Sequence, residues 1–161
     1  MIKLIAGATA LASAVVLGAL AGTAASGAAL VVNCQSRNLK PVYGGTDGAA
    51  GTLHDRWRIV NTSGGSCGLG GFPTVVNYRA DGRPFVTSVT QTGTFGPVIL
   101  SSGQHASFVL SYPQPGNVGC TPQHAVRMTI QVPNTAQPLI ASRGERACAG
   151  TLQESPLVHG G

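Results

Sequence analysis

The chain has 161 residues and a net charge of +5, from ten Lys and Arg against five Asp and Glu, yet only 9% of its residues are charged. The positive residues are scattered, with Arg56 and Arg58 the one close pair within an expected strand, so the concentrated basic face of a nucleic-acid binder is missing. Plentiful Ser, Thr, Asn, Gln and Gly instead describe a polar, mostly uncharged surface, which suits an extracytoplasmic domain stabilised partly by cross-links.

The N-terminus reads as an export signal. Lys3 is the only charge before Arg37, and residues 4–21 are small or aliphatic. The small residues at 22–29 allow cleavage after Ala25 or Ala28, which assigns residues 1–28 to a signal peptide and 29–161 to the mature protein. The alternative is an uncleaved membrane anchor, since a span needs about 20 apolar residues. The Ala and Gly content makes that segment a weak membrane helix. Lipidation is disfavoured because Cys34 follows Val31-Val-Asn33 rather than a small residue. The 133 remaining residues suit one domain, with no second apolar run and no linker to divide it.

Beyond the signal, Gly and Pro recur every few residues, and the segments between them alternate with period two. In the strand ending at Asn61, Leu53, Trp57 and Ile59 share an apolar face, and Trp57 reads as a core residue. Asp55 falls on the same face. An unpaired buried carboxylate is costly, so Asp55 is expected near the strand's start, within reach of water or an arginine. Residues 74–79 and 85–90 flank Ala80-Asp-Gly-Arg83, a hairpin turn in which Gly82 can take positive φ. A short strand at 97–100 turns through Ser101-Ser-Gly-Gln104 into residues 105–112. There Ala106, Phe108, Leu110 and Tyr112 point inward, with His105, Ser107 and Ser111 outward. In residues 125–132, Val126, Met128, Ile130 and Val132 face one way. Weaker strand patterns follow at 139–142 and 151–158. About seven or eight antiparallel strands with turns every 8–12 residues describe an all-β sandwich, with a small barrel as the competitor.

Four cysteines allow three pairings. If the segment after Cys34 runs antiparallel to the strand ending at Asn61, Cys34 comes to lie beside Cys67. By the same reasoning residues 125–132 run away from Cys120, residues 139–142 return, and Cys148 arrives near Cys120. The expected disulfides are therefore Cys34–Cys67 and Cys120–Cys148. A four-thiolate zinc site would want close pairs such as C-x₂-C, and no two cysteines here are closer than 28 positions.

Other motifs carry less. Gly64-Gly-Ser66-Cys-Gly68 matches G-x-S-x-G, the nucleophile elbow of serine hydrolases, which needs a strand, a sharp turn and a helix. No helix follows, because Leu69-Gly-Gly-Phe-Pro73 breaks the chain, so the motif reads as a glycine-rich turn holding a cysteine. His54, His105, His124 and His159 show no metal spacing, with His105 and His124 expected to face solvent. Met128 is the only methionine of the mature chain, against the Met or His clusters that copper capture would want. Asp47, Asp55, Asp81, Glu145 and Glu154 form no acid–base pair in sequence, with Glu145 flanked by Arg143 and Arg146 in a loop. Asn61-Thr-Ser63 matches a glycosylation acceptor.

The stretch Asn61-Thr-Ser-Gly-Gly-Ser-Cys67-Gly-Leu-Gly-Gly-Phe-Pro73 resembles an exported actinobacterial family, domain of unknown function 4232. The likeness continues through Asp81-Gly82, Leu100-Ser-Ser-Gly-Gln104, Cys120-Thr-Pro and Cys148-Ala-Gly-Thr-Leu, and covers about residues 34–158. The resemblance implies a secreted or envelope-associated immunoglobulin-like β-sandwich with two disulfides and no assigned activity. Many relatives look like lipoproteins or carry an anchor, from which this chain departs. The expectation is a non-enzymatic, monomeric module of the cell envelope or extracellular space, without cofactor or metal. Its partner would be a protein, a glycan or another envelope component, and membrane attachment arises only if the signal stays uncleaved. A small hydrolase using Ser66 and a metal-binding protein are the alternatives. The expected binding loops are 44–51 and 114–119, at one end of the sandwich.

Overall fold

The computed structural model describes residues 31–85, 89–117, 119–147 and 152–160. The expected signal peptide and Cys148 lie outside the described residues. Among the latter there is no α-helix, only two 3₁₀ turns at Ser36–Asn38 and Pro115–Asn117. The strands are short: β1 (Leu39–Ala49), β2 (Thr52–Asn61), β3 (Cys67–Gly70), β4 (Thr74–Tyr78), β5 (Pro84–Phe85), β6 (Val89–Gln91) and β7 (Pro97–Leu100). They continue with β8 (His105–Pro113), β9 (Gln123–His124), β10 (Arg127–Gln131), β11 (Leu139–Ala141), β12 (Arg146–Ala147), β13 (Leu152–Glu154) and β14 (Val158–His159). The larger sheet has the order β1-β2-β8-β13-β6, with β14 also on β8, and the second has the order β11-β10-β4-β5. Two ribbons, β3–β7 and β9–β12, complete an all-β, sandwich-like arrangement.

The alternation read from sequence sets the core. In β8, Ala106, Phe108, Leu110 and Tyr112 are buried and the residues between them are only partly covered. Trp57 and Ile59 of β2 pack beside them, paired in register with Phe108 and Ala106. From the second sheet, Met128 and Ile130 of β10, Leu139 and Ala141 of β11 and Val75 of β4 close the same cluster. Burying a side chain such as Phe or Leu contributes about 1.5–3 kcal/mol, so this continuous cluster is the main stabilising term.

Strand β1 runs antiparallel to β2 from the Leu39 and Asn61 pair to the Ala49 and Thr52 pair, so a tight turn at Ala50-Gly51 joins them. The register slips between Tyr43 and Gly45. Gly44 is the extra residue, and a Cβ there would stand 3.2 Å from the Arg56 carbonyl oxygen, tighter than β-carbons ordinarily approach. The β4–β5 hairpin forms as expected, with Gly82 at φ +80° and the Arg83 N–H bonded to Asp81 Oδ1. The turn at residues 101–104 forms too, with Gly103 at φ +79°.

Several expectations need correction. Described strands number fourteen, not seven or eight, because short strands of two to four residues such as β3, β5, β9, β12 and β14 add to the longer ones. Residues 85–90 are not one strand: β5 belongs to the second sheet and β6 to the larger one. The pairing of β6 with β13 is parallel, so the fold is not wholly antiparallel. Val126 stands before β10 and is exposed, because the edge of the buried face begins at Met128. Asp55 does not reach water; it is fully inside, 2% exposed.

Candidate functional site

The glycine-rich stretch after Asn61 first makes a turn and then a strand. Asn61 is itself buried. Its side-chain amide donates to the Gly65 carbonyl at 2.8 Å and the Leu100 carbonyl at 3.0 Å, while its oxygen accepts from the Ser63 N–H at 2.9 Å. An asparagine so engaged organises the turn and offers nothing to a glycosyl carrier. From Cys67 the chain extends as β3 and pairs antiparallel with β7.

Residues 31–34 add a third line to this ribbon. The Cys34 N–H donates to the Gly68 carbonyl at 2.9 Å, the Gly68 N–H donates to the Val32 carbonyl at 2.8 Å, and Asn33 bridges Gly68 in parallel. The Cys34–Cys67 disulfide joins the two lines on the buried side. With period-two alternation, Cys34, Cys67, Leu69, Val98 and Leu100 point into the core. The outer face is left with Val31 and Asn33 on one flank, Pro97 and Ile99 on the other, and only Gly68 and Gly70 between them.

The result is a trough whose floor is bare backbone, with a volume of about 720 Å³. The glycines are required there. A Cβ on Gly70 would sit 2.7 Å from the Gly96 carbonyl oxygen, and one on Gly68 would sit 3.2 Å from Val31 Cγ1. Phe72 and Phe95 also line the trough, their rings edge to face with centroids 5.7 Å apart. Phe95 is 64% exposed and Ile99 50%, an unusual display for large apolar side chains that stand together. No lining residue is charged; the polar side chains are the amides of Asn33, Gln91 and Asn134.

A second feature is polar and buried. Asp55 accepts a hydrogen bond from the Tyr112 hydroxyl at 3.0 Å and another from the Thr46 hydroxyl, which also contacts Tyr43. The Arg143 guanidinium stacks over the Tyr43 ring, 3.9 Å from its centroid, and donates to its hydroxyl. Glu145 lies in a loop as expected, but it is buried and takes a 3.1 Å hydrogen bond from Asn77 Nδ2. Glu154 is buried with neither carboxyl oxygen hydrogen-bonded. Burial pushes the Glu145 carboxyl up to about 8 against the Asn77 hydrogen bond, with the charges of Asp55 and Glu154 adding to the rise and Arg143 opposing it. Burial alone pushes Glu154 up to about 7. The Tyr112 hydroxyl is raised far above its ordinary range, first by burial and then by the Asp55 charge beside it. So three carboxylates that sequence spacing kept apart share the interior, yet no group of three His, Cys, Asp or Glu with metal-binding geometry occurs among the described residues.

The remaining sequence candidates are dispersed. Cys34 and Cys67 are bonded as expected from the strand order. Cys120 is not a free thiol, and its expected partner Cys148 lies outside the described residues. Ser66 is exposed, and among the described residues its Oγ meets the Ser101 hydroxyl, at 3.4 Å. His54 Nδ1 bonds the Ser111 hydroxyl at 2.7 Å and His159 Nε2 meets Gln104 Oε1 at 3.4 Å, while His124 lies exposed on β9. The segments at 44–51 and 114–119 do meet, through the Gln114 N–H and the Gly51 carbonyl. Most of the first is strand β1 rather than a loop, and the larger cavity lies elsewhere. In sequence the trough is hidden because Cys67-Gly-Leu-Gly70 reads as a turn. Its apolar, small, apolar, small alternation is the signal of a half-buried strand.

No curated protein and no solved structure matches the chain. The family model described as Domain of unknown function (DUF4232) matches residues 34–158, which include β3 and β7 of the ribbon, the Cys34–Cys67 disulfide and the buried carboxylates. The chain belongs to that family.

Proposed function

We propose that this protein is a non-enzymatic binding module that works outside the cytoplasm, in the envelope or the extracellular medium, with the β3 trough as its binding site. The observation that carries the reading is the trough itself: a concave, uncharged site of about 720 Å³ with Phe95 and Ile99 exposed along it. Ligand sites are commonly apolar clefts of about 300–1,000 Å³ with a few placed polar groups. The Cys34–Cys67 disulfide supports an oxidising location, where such bonds persist. An immunoglobulin-like strand arrangement and the Cys120–Cys148 bond belong to the same reading, as does a monomeric state.

The test is an NMR screen of the oxidised protein against a library of neutral lipids, sugars and short peptides. Binding at the trough shifts the amide signals of Gly68, Gly70 and Ile99 above all others. Ligands that shift other regions, or a library with no ligand for these residues, would remove the trough from consideration. A fluorophosphonate probe separates the hydrolase alternative: the binding module stays unlabelled, whereas labelling at Ser66 establishes a nucleophile. Copper or zinc titration does the same for metal capture, with no binding expected below millimolar concentration.

A further inference from the structure

We infer that the trough takes a single uncharged hydrocarbon chain, the acyl or alkyl tail of a neutral amphiphile; this rests on the trough being the binding site proposed above. Three observations carry it. The chain has ten Lys and Arg, yet none of its charges lines the trough, so an ionised ligand would meet no counter-charge there. The walls are branched or aromatic, with Val31, Ile99, Phe72 and Phe95 around a floor without side chains, which admits something narrow. Most tellingly, the floor has little hydrogen-bonding capacity to offer. Both backbone groups of Gly68 are taken by Val32 and Cys34, and Leu69 turns its own towards β7. The polar groups that remain at the lining are backbone groups such as those of Gly70 and Gly96 and the rim amides of Asn33, Gln91 and Asn134.

That shortage selects between ligand classes. An extended peptide in the trough would leave the N–H and carbonyl groups that face the floor with few partners, and a sugar would do the same with its inward hydroxyls. A hydrocarbon chain has no such groups. Its neutral polar head, an ester, amide or hydroxyl, is matched by the amides at the rim.

The experiment is titration of the oxidised protein with 1-alkanols of five to ten carbons, followed by the backbone amide signals. Each buried methylene is expected to tighten binding about three- to fourfold until the trough is full, with the largest shifts at Gly68, Gly70 and Ile99. Ile99→Asp, at a half-exposed position that leaves the core untouched, should weaken decanol at least tenfold without altering the urea midpoint. Octanoate should bind more weakly than octanol. No dependence on chain length, equal binding by the Ile99→Asp protein, or shifts remote from the trough would each overturn the inference. If peptides or sugars shift the trough amides while the alkanols do not, the hydrocarbon assignment fails and the binding module stands. If no class shifts them, both fail.

Discussion

Glu145 and Glu154 are buried with their carboxyls pushed up, and this decides how the protein responds to pH. A carboxyl whose folded pKa is raised binds a proton more tightly in the folded state than in the unfolded one. Its contribution is complete below the ordinary value of 4.5 and is lost as pH rises through about 8 for Glu145 and about 7 for Glu154. Stability should therefore be highest in mild acid and fall between those limits, read as the urea midpoint from pH 4.5 to 9. Glu145→Gln should flatten the upper part of that fall, and an unchanged profile would refute the assignment. Tyr112 acts differently. Its hydroxyl donates to a carboxylate in the interior, so Tyr112→Phe should cost about 1.5–3 kcal/mol by leaving Asp55 one donor short. A urea midpoint within error of the parent protein would show that the hydrogen bond does not hold in solution. Asp55 was conspicuous in the sequence as a polar residue on an apolar face. Its partner, Tyr112, was also legible as inward-facing, but the neighbouring register that places the two strands side by side was not.

At the scale of elements, β8 and the three-line ribbon carry different duties. Strand β8 lies between β2 and the pair β13 and β14, with its inward face wholly buried. Phe108→Ala should cost about 3–5 kcal/mol, a large part of a typical stability of about 5–15 kcal/mol, and chemical denaturation measures it. The ribbon depends on its cross-link. Cys34–Cys67 spans 33 positions, and closing a loop of that length is worth about 3–4 kcal/mol in the chain-entropy model. Replacing both cysteines with serine should lower stability by about that amount. It should also loosen residues 31–34 from β3, since the Cys34 and Val32 backbone hydrogen bonds to Gly68 would then have to hold them without the cross-link. Hydrogen exchange reads this directly: the Gly68 amide should lose protection well before the Phe108 amide. Equal loss at both sites would mean that the ribbon and the core open as one unit.

At the scale of the whole molecule, the chain order of the cysteines and their placement in the fold make one further outcome checkable. Non-reducing peptide mapping should return Cys34 joined to Cys67 and Cys120 joined to Cys148, and Cys34 joined elsewhere would contradict the β1–β2 register. N-terminal sequencing of protein from culture medium should begin at Ser26 or Ala29, whereas an intact Met1 in the membrane fraction would show a retained anchor. The sequence by itself determined the strands with strong alternation, the turn at Asp81-Gly82, the inward face of β8 and the Cys34–Cys67 pairing. Each of these follows from local periodicity, backbone conformational preference or antiparallel neighbours close in the chain. Only the tertiary structure decided the trough and the buried acids. Val31, Gly68 and Ile99 share one surface, and Asp55, Glu145 and Glu154 share one interior, although each set is spread over dozens of residues. A strand's alternation states which residues share a side. Which distant strand faces that side is settled by long-range pairing and by the packing of the two sheets on a common core.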